Sequence, residues 1–324
     1  MTEADGLICA YRLDGKGGGE ETDWAGVRAW KPGDGLLWVH LDRSTEAARD
    51  WFGGDSGLDP LIADALLADD TRPRSAVFDN GLLVNLRGVN LNPGAVPEDM
   101  VSARVWIEPG RIVTTRRLKV LAIQDLRDEL AQRKGVRTGP GFLIRLARSL
   151  TDRLQPVEDA IGETLDELED ALVAGDLDVL GERLTPLRRQ TIALRRHLAP
   201  QRDALTRLHA DGDDFFDDHQ RARLREVVDR IYRIVEELDA MRERAAIIQD
   251  ERRTRISERM DRAIYMLSIV ATVMLPLTFV TGLLGMNVGG IPGEKLAWAF
   301  WAVCGGLAVV AVILLVFFRR IRWL

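Results

Sequence analysis

Side chains able to do chemistry are sparse in this chain of 324 residues. His40, His197 and His209 stand apart from one another and from Cys9 and Cys304, and no pair has the spacing of a tetrahedral zinc site. No metal held directly by protein ligands is therefore expected. The densest group of hard-cation ligands is Asp211, Asp213, Asp214, Asp217, Asp218 and His219. It lacks the loop glycine and distal glutamate of an EF-hand. The same acids suit the start of a helix, where they cap free amides and meet the positive end of the dipole. The run Gly15 to Gly19 is followed by no Gly-Lys-Ser/Thr, so it makes no phosphate loop and no ATP drive is visible. A nucleophile, base and acid in one cluster are missing, and neither an enzyme nor a bound cofactor is expected. The polar signal that remains is Gly285-Met286-Asn287. Gly and Asn are both favoured where a helix ends, and the neutral amide oxygen of Asn also accepts hydrogen bonds from the water around a cation.

The elements that position these residues follow from where charge stops. The chain carries 44 Lys+Arg and 50 Asp+Glu for a formal charge of −6, and its mean hydropathy of −0.07 is that of an ordinary soluble protein. Yet residues 263–284 and 296–318 hold no charged residue. As helices they reach about 33 and 34 Å, enough to cross a hydrocarbon core of about 30 Å. The connection of residues 285–295 is too short for a domain, so the two spans form a hairpin with both ends on one side. Arg252, Arg253, Arg255, Arg259 and Arg262 precede the first span and Arg319, Arg320 and Arg322 follow the second, whereas the loop carries Lys295 beside Glu294. Positive residues stay cytoplasmic, which puts both termini inside and the loop outside. Trp298, Trp301 and Trp323 lie near the span ends, as interfacial aromatics do. Met1 to Lys16 has no basic flank followed by an apolar core, so no signal peptide is expected. Two distant cysteines argue against a disulfide scaffold, and the acidic balance argues against nucleic-acid binding.

Residues 1–140 predict a mixed α and β domain. Its strands are Leu7–Leu13, Leu36–Leu41, Ala76–Phe78, Leu82–Leu91, Val101–Ile107 and Arg111–Arg117, with Asp79-Asn80-Gly81 and Glu108-Pro109-Gly110 as turns. Helical periodicity marks Thr45–Phe52, Leu58–Ala68 and Val120–Arg133. From Phe142 the leucines recur at helical spacing to Leu172, Gly175-Asp176 breaks the run, and a second run follows from Leu180 to Leu208, which makes an antiparallel helical pair over residues 141–212. Between Asp213 and Leu275 lie 63 residues without Gly or Pro, so a helix begun at Asp213 or Asp214 runs uninterrupted into the first span. At 1.5 Å per residue this stalk is about 94 Å long. Leu224, Val228, Ile231, Val235, Leu238, Met241, Ala245 and Ile248 form a near-heptad stripe along it, which needs a partner. Two spans alone also cannot enclose a water-filled path. Both points predict a homo-oligomer with stalks converging on an axis.

Gly285-Met286-Asn287, placed between two C-terminal spans and after a long helix free of Gly and Pro, resembles the signature of the CorA superfamily of divalent-cation transporters. The resemblance covers essentially the whole chain. The continuation Val288-Gly-Gly-Ile-Pro-Gly293, the ending Arg322-Trp-Leu324, Trp38-Val-His-Leu-Asp42 and Asp70-Thr-Arg-Pro-Arg74 look like the ZntB zinc-transporter branch, whereas the magnesium branch has a more acidic loop. The resemblance implies a homopentameric funnel in the cell inner membrane, a pore lined by the first span of each subunit, and a ring of Asn287 at the outer mouth. Neutral amide oxygens hold the hydration shell of a divalent ion without stripping it, whereas carboxylates bind tighter and slow release. Gly285, having no side chain, lets the backbone leave the helix before Asn287.

Below that mouth, Thr278, Ala271 and Ile264 recur every seventh residue, with Leu275 and Leu267 beside them. Facing the axis, Thr278 makes a polar ring and the aliphatic residues make constrictions that gate by dewetting; ordinary helix or lipid contact is the other reading. Pro276 is expected to kink the span. Asp250 either contributes an acidic ring to the cytoplasmic funnel or is a solvated charge, and Glu294 is the acid of the outer loop. Uptake of Zn2+ driven by the proton gradient or membrane potential is the expected function. A Mg2+, Co2+ or Ni2+ channel of the same architecture is one alternative, and a membrane-anchored coiled-coil sensor or scaffold is another. The expected partners are further copies of the chain, the lipid bilayer and divalent cations.

Overall fold

The central strands are apolar on both faces, which requires cover on both sides of their sheet. The computed structural model describes residues 5–69, 72–212, 214–286, 291, 293 and 296–320. It divides into two compact units, Met1–Gln249 and Asp250–Leu324. In the first, seven strands form one sheet: β1 (Leu7–Leu13), β2 (Gly19–Thr22), β3 (Leu36–Asp42), β4 (Arg74–Phe78), β5 (Gly81–Gly88), β6 (Val101–Glu108) and β7 (Arg111–Arg116). Their order is β2-β1-β3-β7-β6-β5-β4. Every neighbour is antiparallel except β3 and β7, which run parallel with His40 opposite Thr114. One face packs Leu37, Val39, Leu41, Trp106 and Val113 against α2 (Glu46–Asp50), the π-turn Trp51–Asp55 and α3 (Pro60–Leu67), preceded in the chain by the short α1 (Trp24–Ala29). The other face packs Trp38, Val84, Leu86, Val105 and Ile112 in one core with α4 (Leu121–Ala131), α5 (Gly139–Asp152), α6 (Gln155–Ala174), α7 (Leu177–Asp211) and the first part of α8 (Asp218–Leu284).

The α+β domain, the long helix and two C-terminal helices of membrane-crossing length are as the sequence predicts. The short α1 was not expected and the strand expected over Leu82–Leu91 ends at Gly88; three further differences have a plain physical reason. Strand β2, Gly-Glu-Glu-Thr, escapes prediction because it is an exposed edge strand with no apolar face to alternate. The helix expected from Phe142 to Leu172 is broken between Asp152 and Gln155, because Pro156 has no amide for the Asp152 carbonyl and its ring clashes there. The long helix begins at Asp218 rather than at Asp213 or Asp214. There the Gln220 amide donates to the Asp217 carboxylate at 2.7 Å and the Asp217 amide donates to the Gln220 side chain at 3.2 Å, a reciprocal cap.

The stripe from Leu224 to Ile248 also finds a different partner from the one expected. Leu224, Ile231, Val235, Leu238, Met241, Ala245 and Ile248 are buried within the single chain, in the core shared with α6 and α7. An apolar stripe states that something covers it without stating what, and here the cover is in cis. It therefore gives no argument for self-association. Charge fixes the same seam: Arg244 binds Asp166 (2.6 Å) and Glu169 (2.8 Å), Arg195 binds Asp239, and Arg230 binds Asp152.

Candidate functional site

In the second unit, the described residues of the C-terminal part of α8 and of α9 (Ala299–Arg320) are each apolar enough to cross a membrane and almost wholly exposed in the single chain. Exposure is uneven around each helix. On α8 the protected positions are Tyr265, Ile269, Val273, Leu277 and Leu284; on α9 they are Ala299, Val303, Leu307, Ala311, Leu314 and Phe318. Spacings of three, four and seven residues put each set on one face, the pattern of a helix shielded along a single seam.

The residues expected to line a pore lie on the other side of α8. Ile264, Leu267 and Leu275 are 57%, 70% and 74% exposed, and Ala271 and Thr278 are exposed as well. At about 100° per residue, these five positions point roughly opposite to Ile269 and Val273. The seam thus leaves that face uncovered by the chain itself. Hydroxyls along the span also divide. Ser268 donates to the Ile264 carbonyl (2.9 Å), Thr272 to Ser268 (2.8 Å) and Thr281 to Leu277 (3.0 Å), whereas the Thr278 hydroxyl has no hydrogen bond among the described residues. Back-bonded hydroxyls are those compatible with lipid; Thr278 keeps its donor for another partner. The helix runs on through Pro276, which removes the amide that would meet the Thr272 carbonyl.

At the end of the span, the Gly285 amide still closes a helical turn on the Thr281 carbonyl at 2.9 Å. Its φ is not positive, so the freedom expected of it is not spent on a left-handed turn; a side chain there would instead sit 3.1 Å from the Thr281 carbonyl oxygen. Met286 is half exposed. Asn287 and Glu294 lie outside the described residues. Asp250, at the start of the second unit, shares the side of α8 that carries Ile264, but its carboxylate is 77% exposed and 3.7 Å from Arg253. Arg253 lies one turn further along the helix.

The remaining candidates have local explanations. Asp217 caps α8, Asp211 ends α7, and among the described residues no group of His, Cys, Asp and Glu is arranged to hold a metal. His40 is buried, with Nδ1 2.8 Å from the Thr114 hydroxyl, which also accepts from Trp38 Nε1 at 2.9 Å. Burial, helped by the nearby Arg116 charge, pushes its pKa down to about 3, so it is a neutral member of the core. Burial likewise pushes the Cys9 thiol up to about 12 and leaves it unreactive. A pair the sequence did not single out is Glu158 and Glu237, across the seam of α6 and α8. Both line a cleft of about 670 Å³, and burial, with the Glu237 charge, raises Glu158 to about 7. No spacing along the chain reveals it, because the partners belong to different helices.

The sequence model of the family described as "CorA-like Mg2+ transporter protein" matches residues 33–320. The divalent cation transporter CmaX of Pseudomonas aeruginosa is 40% identical over 325 residues, covering 98% of this chain and 97% of its own. The zinc transport protein ZntB of Pectobacterium carotovorum is 36% identical over 323 residues, covering 98% and 96%. The solved structure of the full-length CmaX protein matches with a TM-score of 0.83 over 98% of each chain at 40% identity.

Proposed function

The chain belongs to the family of CorA-like Mg2+ transporter proteins, and from that premise we propose that its copies assemble around an axis into a membrane pore for divalent cations, with Zn2+ the preferred ion. The observation that carries this reading is the division of α8 into two opposite faces. Ile269 and Val273 lie on the seam, and Ile264, Leu267, Ala271, Leu275 and Thr278 stay free to face an axis. Five copies is the number the family resemblance implies, with Gly285, Met286 and Asn287 at the outer mouth. Leu275, Leu267 and Ile264 are aliphatic constrictions and Thr278 offers its unengaged hydroxyl to passing water. The termini are cytoplasmic and the membrane is the cell inner membrane, supported by the arginines that flank both spans. No resident cofactor takes part.

Zinc is supported by the relatives named as zinc transport proteins and by an outer loop whose one acid, Glu294, stands beside Lys295. Uptake follows from energetics: an inside-negative potential of about 100 mV draws a divalent ion inward with about 4.6 kcal/mol, and a proton gradient is a second available drive. The family's description favours Mg2+ as the second reading. Reconstitution of the full chain in liposomes with zinc- and magnesium-sensitive dyes decides between them. Zinc influx that rises with an imposed potential or inward proton gradient is expected. Magnesium influx without zinc influx moves the chain to the second reading. Flux of neither ion from an intact oligomer leaves the membrane-anchored scaffold.

A further inference from the structure

In the first unit a cavity of about 920 Å³ lies where the loop between α4 and α5, α5 itself and the first turns of α8 meet, and none of its lining residues is among those proposed to line the pore. Lys134, Arg137, Arg145, Arg148 and Arg223 line it. Arg145 is neutralised by Glu129, and Arg148 reaches Asp152 only at 3.9 Å. Lys134, Arg137 and Arg223 form no ion pair among the described residues. Against these cations the cavity has two further carboxylates among the described residues, Asp217 and Glu226, and Asp217 is already occupied in capping α8. The cavity is therefore positive in a chain whose formal charge is −6.

Two helix amino ends also open on it. Helix α5 begins at Gly139 with no acid in its first turn, and α8 begins just after Asp217. They are tied together where Gln220 Nε2 donates to the Thr138 hydroxyl at 3.0 Å. Both dipoles add positive potential to the same space. Gly135 and Gly141 keep parts of the wall free of side chains.

We propose that this cleft binds a small polyphosphate-bearing anion, held by Lys134 and Arg137 on the loop, Arg148 on α5 and Arg223 on α8. The cations come from three separate elements, so a ligand that engages them together is multivalent and extended. Guanidinium forks match phosphate oxygens in pairs, and the volume lies within the range of about 300–1,000 Å³ of small-molecule sites. Bound there, the anion fastens the α4–α5 loop to the head of α8, the helix that continues into the first span. The inference does not depend on which cation the pore carries.

The test titrates the full-length chain in detergent, with chelator present, with tripolyphosphate, ATP and orthophosphate by calorimetry, at about 50 and 300 mM salt. Saturable binding of tripolyphosphate and ATP is expected, at least tenfold tighter than orthophosphate and weaker at high salt. Equal affinities mean that the phosphate chain alone is recognised, and a tighter ATP means that the base adds contacts. Arg137→Glu combined with Arg223→Glu is expected to weaken binding at least tenfold. Asp217→Asn keeps a good helix cap while removing a negative charge, and is expected to strengthen binding severalfold. Absence of saturable binding at millimolar tripolyphosphate overturns the assignment, as does binding that neither the double reversal nor Asp217→Asn moves.

Discussion

Replacing Glu158 by Gln tests the α6–α8 seam more sharply than any truncation, because shape is kept and only the ability to ionise is removed. Glu158 is 8% exposed, accepts a hydrogen bond from Gln155 Nε2 at 3.2 Å, and shares its cleft with Asp159, Glu163, Asp166, Glu237, Arg230 and Arg233. Burial first, then the charges of Glu237 and Asp159, raise its pKa from 4.5 to about 7, with Arg230 opposing them. The sign follows from proton linkage. Between pH 4.5 and 7 the folded chain holds a proton on Glu158 that the unfolded chain has lost, so stability falls as pH rises through this window and the whole cost is present above pH 7. That cost is about 3 kcal/mol, the free energy of ionising a carboxyl whose folded pKa lies that far above its unfolded one. Glu158→Gln is therefore expected to stabilise α6 against α8 by about 3 kcal/mol at pH 8 and by little at pH 5. Hydrogen exchange on the full chain in detergent, followed on residues 155–166 and 230–241 and corrected for intrinsic base catalysis, reads the opening free energy. Glu163→Gln, at an exposed residue of the same cleft that takes no part in raising Glu158, serves as the control and shifts it by under about 0.5 kcal/mol. An equal gain at both pH values, or no gain at pH 8, refutes the reasoning.

Three further outcomes are expected. Asn287→Ala is expected to lower zinc flux in liposomes by roughly tenfold with the oligomer intact on size-exclusion chromatography, since it deletes the amide proposed to meet the hydrated ion; unchanged flux removes Asn287 from the mouth. Leu267→Ser, at one of the proposed constrictions, is expected to wet the closed pore and raise resting cation leak severalfold, read with the same dyes, whereas unchanged leak places Leu267 against lipid. Asp217→Ala removes the reciprocal cap with Gln220 and costs about 1 kcal/mol, visible as faster hydrogen exchange over the first turns of α8 and nowhere else.

Legibility from the sequence divides along physical lines. Strands β1, β3, β5, β6 and β7 were readable because their apolar runs end at Gly, Pro and Asn turns. Strand β2 was not, because a polar edge strand owes its structure to pairing with β1 rather than to its own pattern. The break at Pro156 was written in the chain but hidden by the leucine periodicity on both sides of it. At the candidate site, the face holding Ile264, Leu267, Ala271, Leu275 and Thr278 was chosen from spacing, while the reason that it is free came from the seam of Ile269 and Val273. In an all-apolar helix no contrast between polar and apolar residues marks a face.

By itself the amino-acid sequence determined that two segments near the C-terminus are long and apolar enough to cross a membrane and that arginines flank the pair, because transfer between water and lipid is paid residue by residue and needs no partner. The start of α8 is also a local matter, a cap between Asp217 and Gln220, yet the acids before it drew the expected start to Asp213 or Asp214 and the structure moved it to Asp218. Only the tertiary structure decided that the stripe from Leu224 to Ile248 is covered by the chain's own α6 and α7, that Glu158 faces Glu237, and that two helix ends and unpaired cations share one cavity. Each of these depends on residues brought together across helices, and distance along the chain carries no record of that proximity.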